Sequence, residues 1–465
     1  MNQLATKRKK QNNISREELV NMDKNDLVEK FIQLQAHNIQ LKNIISKKMT
    51  NDLQCSSEVN QNKFDFNKCH YRRVLLKIMY FGWDYQGLAV QEDTTETIEH
   101  HLFHALMKSC LIRNRETSQY HRCGRTDKGV SAFSQVISIS LRSKYPPSQQ
   151  NLTDSIETEM QYCRILNRIL PKYIYAVAWM PIPDDKPEFS ARFDCKKRQY
   201  RYYFPRSNLN IDSMREACTH IIGLKDFRNF CKMDVGNGVT EFWREIFKAN
   251  IFPVNENDKH DETSMYCLEI DGNAFLWHQI RCIMGVLILI ETSMYCLEID
   301  GNAFLWHQIR CIMGVLILIG QGHETPDIIN ELLDVEKNPR KPQYNMALDI
   351  PLNLFHCSYD LEETSEWIYD DGNIKSLITT LQGEWSIHNI KTTMIRDALQ
   401  HLEAKYRKNN RELCNTDKER ENDSFAHIKC LLQGVKPKVY TPLLKRDKCS
   451  SLEEKIEFFK KKRKI

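Results

Sequence analysis

The sequence predicts an α+β protein. Three observations carry that prediction: one stretch of period-two alternation, two stretches at helical period, and a second block rich in aromatics at strand spacing. The alternation is clearest after residue 132. Phe133, Gln135, Ile137, Ile139 and Leu141 share one face, and Ser134, Val136, Ser138 and Ser140 share the other, the pattern of a half-buried strand. Residues 98–111 and 154–170 read as helices, the second ended by Pro171. Residues 190–204 mix cations with aromatics: Ser-Ala-Arg-Phe-Asp-Cys-Lys-Lys-Arg-Gln-Tyr-Arg-Tyr-Tyr-Phe. Such mixing suits RNA, because cations bind phosphate and aromatic faces stack on unpaired bases. An ordinary aromatic strand with a solvated basic edge has the same composition.

In chain order, residues 1–68 read as an appendage. Lys7-Arg8-Lys9-Lys10 fits a nuclear-import signal. Ser15 with Glu18, and Asp26 with Glu29, have capping-box spacing. Leu27, Phe31, Leu34, Asn38, Leu41 and Ile45 form a short heptad seam, with Asn38 at a position that can fix register. A polar linker spans 49–68. The first globular block is 69–182, with a strand over 74–80, a loop over 81–87 and the 98–111 helix. His100 and His104 lie one turn apart on that helix, but no third ligand is evident, so they read as helix surface. The second block is 183–362 and a helical, basic C-terminal extension is 363–465, ending in Lys460-Lys461-Lys462-Arg463-Lys464.

One feature of the second block is unusual. Residues 262–290 recur without a single change as 291–319. Repeat proteins drift in sequence and need several units to bury a core. Each copy reads as strand, Asp-Gly-Asn turn, strand, then helix. The second copy leads into Gly320-Gln321-Gly322, a proper helix stop, and is expected to be the core unit.

Composition narrows the class. The chain has 465 residues, 41% of them hydrophobic, enough for two or more domains. Net charge is only +5, so the basic residues act as local clusters. The 16 cysteines include no Cys-x-x-Cys pair, which argues against a zinc site of the usual spacing. The N-terminus is polar and Lys-rich, unlike a secretory signal. Residues 283–290 are the most apolar stretch and are too short to span a membrane. Reduced thiols in a nuclear or cytosolic protein are expected.

The stretch His121-Arg122-Cys123-Gly124-Arg125-Thr126-Asp127-Lys128-Gly129-Val130-Ser131-Ala132-Phe133 carries the chemistry. Gly124 and Gly129 permit backbone angles closed to other residues, and the expected result is a tight loop with Asp127 on its tip. A carboxylate on a short loop held by a strand is a common way to place a reactive group. A solvated hairpin turn is the plainer alternative.

Cys-Gly-Arg-Thr-Asp-Lys-Gly-Val-Ser-Ala resembles the signature of the TruA family of tRNA pseudouridine synthases. Ala191-Arg192-Phe193 followed by Tyr200-Arg201-Tyr202 resembles the second motif of that family. Phe-Leu-Trp-His-Gln-Ile-Arg-Cys-Ile-Met-Gly, present in both copies, resembles the third. Asp226-Phe227, residues 341–347 and Pro351-Leu352-Asn353-Leu354 extend the likeness over roughly 71–362. The basic tail, Lys128 and the N-terminal helix resemble the eukaryotic branch, which modifies uridines 38 and 39 of tRNA.

The resemblance implies a pseudouridine synthase fold: two α/β halves around a shared, mostly antiparallel sheet, with a cleft between them. It implies that Asp127 is the catalytic carboxylate, as nucleophile or as the base of an elimination. It makes Tyr200 the residue that contacts the target base. It pairs Asp127 with Arg310, or with Arg281 if the first copy fills the core. Arg125 then flips the base or contacts phosphate. Isomerisation gains no atom or electron overall, so no cofactor or metal is implied. The implied partner is the tRNA anticodon stem-loop, the implied assembly a homodimer, and the implied location nucleus and cytoplasm. The alternatives are the same chemistry on other RNA uridines, or a catalytically impaired RNA-binding protein or tRNA chaperone, which a pocket distorted by the repeat would favour.

Overall fold

A computed structural model describes residues 64–205, 209–254, 294–301, 305, 308–363, 365–410 and 439–463. The import-signal cluster at Lys7, the heptad seam, the first repeat copy with Arg281, and Lys464 lie outside the described residues.

The strands are β1 (His70–Tyr80), β2 (His121–Arg122), β3 (Ser131–Ser143), β4 (Ile174–Pro181), β5 (Cys195–Pro205), β6 (Gly223–Asp226), β7 (Trp243–Pro253), β8 (Met294–Gly301) and β9 (Leu352–Tyr359). They form one sheet in the order β4-β1-β3-β9-β5-β8-β7-β6, with β2 also paired to β3. Every pairing is antiparallel except the join of β3 to β9, where Ser131 faces Asn353 and Ala132 faces Leu354. That parallel seam is where strands of the first sequence block meet strands of the second.

Strand β3 corrects the half-buried reading. Both its faces are covered. The serine face, which looks solvent-directed in sequence, lies under a turn: the Ala191 N–H donates to Ser138 Oγ at 3.1 Å. Residues 190–194 form that turn, so β5 begins at Cys195, later than the sequence reading.

The helix α1 (Ile98–Lys108) is capped by Thr97, whose side chain accepts from the His100 N–H. The single helix expected over 154–170 is instead two, α2 (Thr153–Glu157) and α3 (Tyr162–Asn167). Glu159 interrupts it. Its carboxylate accepts from the Lys144 N–H at 3.0 Å, the Met160 N–H at 2.9 Å and the Ser143 hydroxyl at 2.5 Å, and pairs with buried Arg72 at 3.3 Å. Those bonds compete with helix continuation.

The second half adds α4 (Ile211–His220), α5 (Gln308–Gly320) and α6 (Ile328–Leu333). The second repeat copy supplies β8, held between β5 and β7, and α5. Cys311, Ile312, Met313, Val315, Leu316, Ile317 and Ile319 are all buried, as expected of a helix apolar all round. Beyond β9 run the 40-residue α7 (Asp371–Asn410) and α8 (Leu452–Arg463). The start of α7 docks on the sheet edge, where Asn373 bonds Asn167 at 2.7 Å and the Ala176 carbonyl at 3.2 Å.

Candidate active site

The Asp127 loop joins β2 to β3 and is pinned along its backbone. The Cys123 N–H donates to the Val136 carbonyl at 2.8 Å, and Gln135 Nε2 donates to the Gly124 carbonyl at 2.9 Å. On the other side, the Leu88 N–H donates to the Thr126 carbonyl at 3.0 Å, and the Gly129 N–H to the Tyr85 carbonyl at 3.2 Å. The hydroxyls of Thr126 and Tyr80 share a hydrogen bond of 2.7 Å. Burial pushes the Tyr80 hydroxyl well above the ordinary phenol range, so it stays protonated.

This pinning overturns the exposed-tip expectation. Asp127 is only 5% exposed, beneath the segment 81–87. The close approach has a requirement in that segment. Gly87 has φ +103°, and a Cβ there would sit 2.9 Å from the Thr126 carbonyl oxygen. Of the two glycines flanking Asp127, only Gly129 takes a positive φ, at +77°.

Tyr200 lies in a cross-sheet row with the root of this loop. Tyr80 faces Ala132, Ala132 faces Leu354, and Leu354 faces Tyr200. The β5–β9 register shifts between Gln199 and Tyr200, a local irregularity that re-aims side chains. Tyr200 is buried, and that burial holds its phenol well above the usual range.

Arg198 connects the strand to the loop. Its guanidinium donates to the Cys123 carbonyl at 2.9 Å and to the Arg192 carbonyl at 3.0 Å. Against it pack three buried thiols, Cys123, Cys195 and Cys357, whose sulfurs lie within 4.8 Å of one another. Burial pushes the Cys195 thiol up to about 12. For Cys123, burial is outweighed by the neighbouring thiols and the Arg198 charge, which hold it below the ordinary thiol value. Spacing rules miss this group because each sulfur comes from a different element.

The surface beside the loop is basic. Glu99, wholly buried on α1, accepts from Arg122, from Arg115 at 3.2 Å, from the Tyr120 hydroxyl at 2.8 Å and from the Val90 N–H at 3.1 Å. It fixes Arg122 while Arg125 and Arg192 stay exposed. Partial desolvation of its guanidinium and the charges of Arg122 and Arg192 lower the Arg125 pKa, with Glu99 and Asp234 opposing. Phe193 is 75% exposed, with the Arg192 guanidinium 5.3 Å from its ring centroid. An exposed aromatic beside a cation is a surface on which a base can stack.

Sequence reasoning missed Glu99, Arg198 and the tie between Tyr80 and Thr126. Their one sequence signal is weak: an acidic residue in the first turn of a Thr-capped helix, for Glu99. Arg310 lies in the first turn of α5, its side chain outside the described residues. His100 and His104 belong to no metal-competent cluster among the described residues.

A family model described as tRNA pseudouridine synthase matches residues 217–295 and again 289–360, so each match takes in one repeat copy. The chain is 43% identical over 422 residues to a tRNA pseudouridine(38/39) synthase of Bos taurus, covering 86% of this chain and 79% of that protein. It is 38% identical over 313 residues to the protein so named in Saccharomyces cerevisiae, covering 66% and 62% respectively. A tRNA pseudouridine synthase A of Methanosarcina acetivorans is 25% identical over 329 residues, 71% of this chain and 99% of that protein.

Proposed function

Because the chain belongs to the tRNA pseudouridine synthase family, we propose that it isomerises uridines 38 and 39 in the anticodon stem-loop, with Asp127 as the reacting carboxylate. The observation that carries the assignment of Asp127 is its placement, sequestered from water on a loop held by five hydrogen bonds to surrounding backbone and side chains.

The reaction breaks the bond from the ribose to N1 and forms one to C5. C5 gives up a proton and N1 gains one, so atoms and electrons balance within the substrate. Asp127 attacks the nucleoside or takes a ribose proton, and either route needs the carboxylate charged. Burial disfavours that charge, and a nearby guanidinium restores it. Arg310 is the guanidinium we assign, at the start of the helix from the second repeat copy. The target base must leave its stack, at a cost of about a few kcal/mol. Arg125 is assigned to occupy the vacated position or to hold the adjacent phosphate, and Tyr200 to bound the base pocket in the cleft between the halves.

The proposed assembly is a homodimer. Its support is α7, which presents Trp385, Ile390, Met394, Ile395 and Leu402 to solvent. Location in nucleus and cytoplasm is proposed from the basic cluster at Lys7. No helix among the described residues is long and apolar enough to cross a membrane.

The test is to map pseudouridine in tRNA from cells with and without the gene. Loss at positions 38 and 39 alone is expected. Retention there, with loss at other uridines, would overturn the substrate assignment.

A further inference from the structure

We propose that a cavity walled by the C-terminal extension is a second RNA subsite, which holds backbone phosphates of the substrate beside the Asp127 site. The proposal rests on the reading above that the substrate is a folded RNA.

The cavity has a volume of about 870 Å³ and lies among residues 231–233, 341–346 and 441–455. Its lining carries five cations, Lys232, Lys341, Lys445, Arg446 and Lys455, against one acid, Asp447. Its outer wall is built into the fold. The Gln343 N–H donates to the Asp447 carbonyl at 2.9 Å, and the Cys449 N–H donates to the Lys341 carbonyl at 2.8 Å. Leu443 is wholly buried, and its N–H donates to the Glu324 carboxylate at 2.7 Å. The extension is therefore a fixed part of this surface.

The cavity is tied to the start of α5, which carries the assigned Arg310, and to the basic surface beside the Asp127 loop. Lys341 Nζ donates to the Cys231 carbonyl at 3.2 Å and to Cys311 Sγ, and Cys311 directly follows Arg310 in the first turn of α5. On the other side, Met233 leads into Asp234, whose charge is felt at Arg125. Lys232 and Lys455 both line the cavity; burial lowers the Lys232 pKa, the Lys455 charge adds to the fall and Asp234 opposes it. Among the described residues, neither Lys445 nor Lys455 forms an ion pair with a carboxylate. Cations spread around an open cavity suit a ligand with several separated negative charges. The backbone of an RNA bound over the Asp127 loop supplies such a row.

The experiment uses the full-length protein, transcribed tRNA and a short anticodon stem-loop RNA. Lys445→Ala combined with Lys455→Ala removes one exposed and one half-buried charge, neither of them part of the apolar core. Binding to tRNA should weaken roughly tenfold or more, the scale of a lost hydrogen bond to a charged group. The dependence of log Kd on log salt should flatten by about one to two, as for two lost phosphate contacts. The loss should fall in KM rather than in kcat, and Lys→Arg at both positions should restore binding. An unchanged Kd and salt slope, in a preparation whose parent protein isomerises tRNA, would overturn the subsite. A parent protein that binds tRNA without isomerising it would instead overturn the functional reading. A binding loss in the double variant would still support the subsite.

Discussion

Asp127 sits where it does partly because residue 87 has no side chain. The segment 81–87 crosses the loop so closely that a Cβ at Gly87 would meet the Thr126 carbonyl oxygen at 2.9 Å and the Asp127 carbonyl carbon at 3.1 Å. The φ of +103° adds backbone strain for any other residue. Gly87→Ala is expected to cost on the order of 1–3 kcal/mol of stability. It should also lower turnover, because the loop must shift to make room. Thermal unfolding and single-turnover rates of the purified variant check both. Around the same loop, Glu99 and Arg198 act by position. Glu99 holds Arg122 back in the wall, and Arg198 ties the Tyr200 strand to the Cys123 carbonyl.

At the level of elements, the motif loop and its strand were legible because the residues that define them are consecutive. Phe133 to Leu141 alternate in the sequence and lie in one strand in the fold. What was not legible joins residues distant in the chain. The serine face of β3 looks solvated until residues 190–194 fold over it. The 154–170 stretch looks like one helix until Arg72, on β1, claims Glu159. Breaking a buried ion pair by removing one charge costs about 3–5 kcal/mol. Glu159→Gln should therefore destabilise the fold by about that amount, as measured by urea unfolding, and more than the exposed Glu157→Gln does. Glu99, the thiols of Cys123, Cys195 and Cys357, and Arg198 escaped the sequence reading for the same reason. Each acts through partners on other elements. The Asp127 loop was found, but its burial was not, because the covering segment is bound through backbone rather than through any motif.

Across the whole molecule, one sheet runs through both sequence blocks, and the parallel seam at Ser131 and Ala132 falls directly after the Asp127 loop. The site therefore depends on β9 and β5 as much as on the block that contains the acid. The second repeat copy fills β8 and α5 in this sheet. Deleting 262–290 leaves the same chain as deleting 291–319, since the copies are identical. That single-copy protein should fold with an unfolding temperature equal to or above the parent's and should keep tRNA isomerisation. A large loss of stability on deletion would show that both copies are needed. The most direct test of the central claim is the Asp127→Asn protein, assayed for pseudouridine formation and for tRNA binding side by side. The account predicts no isomerisation with tRNA affinity nearly intact. Full turnover by Asp127→Asn would contradict it and remove this carboxylate from the reaction.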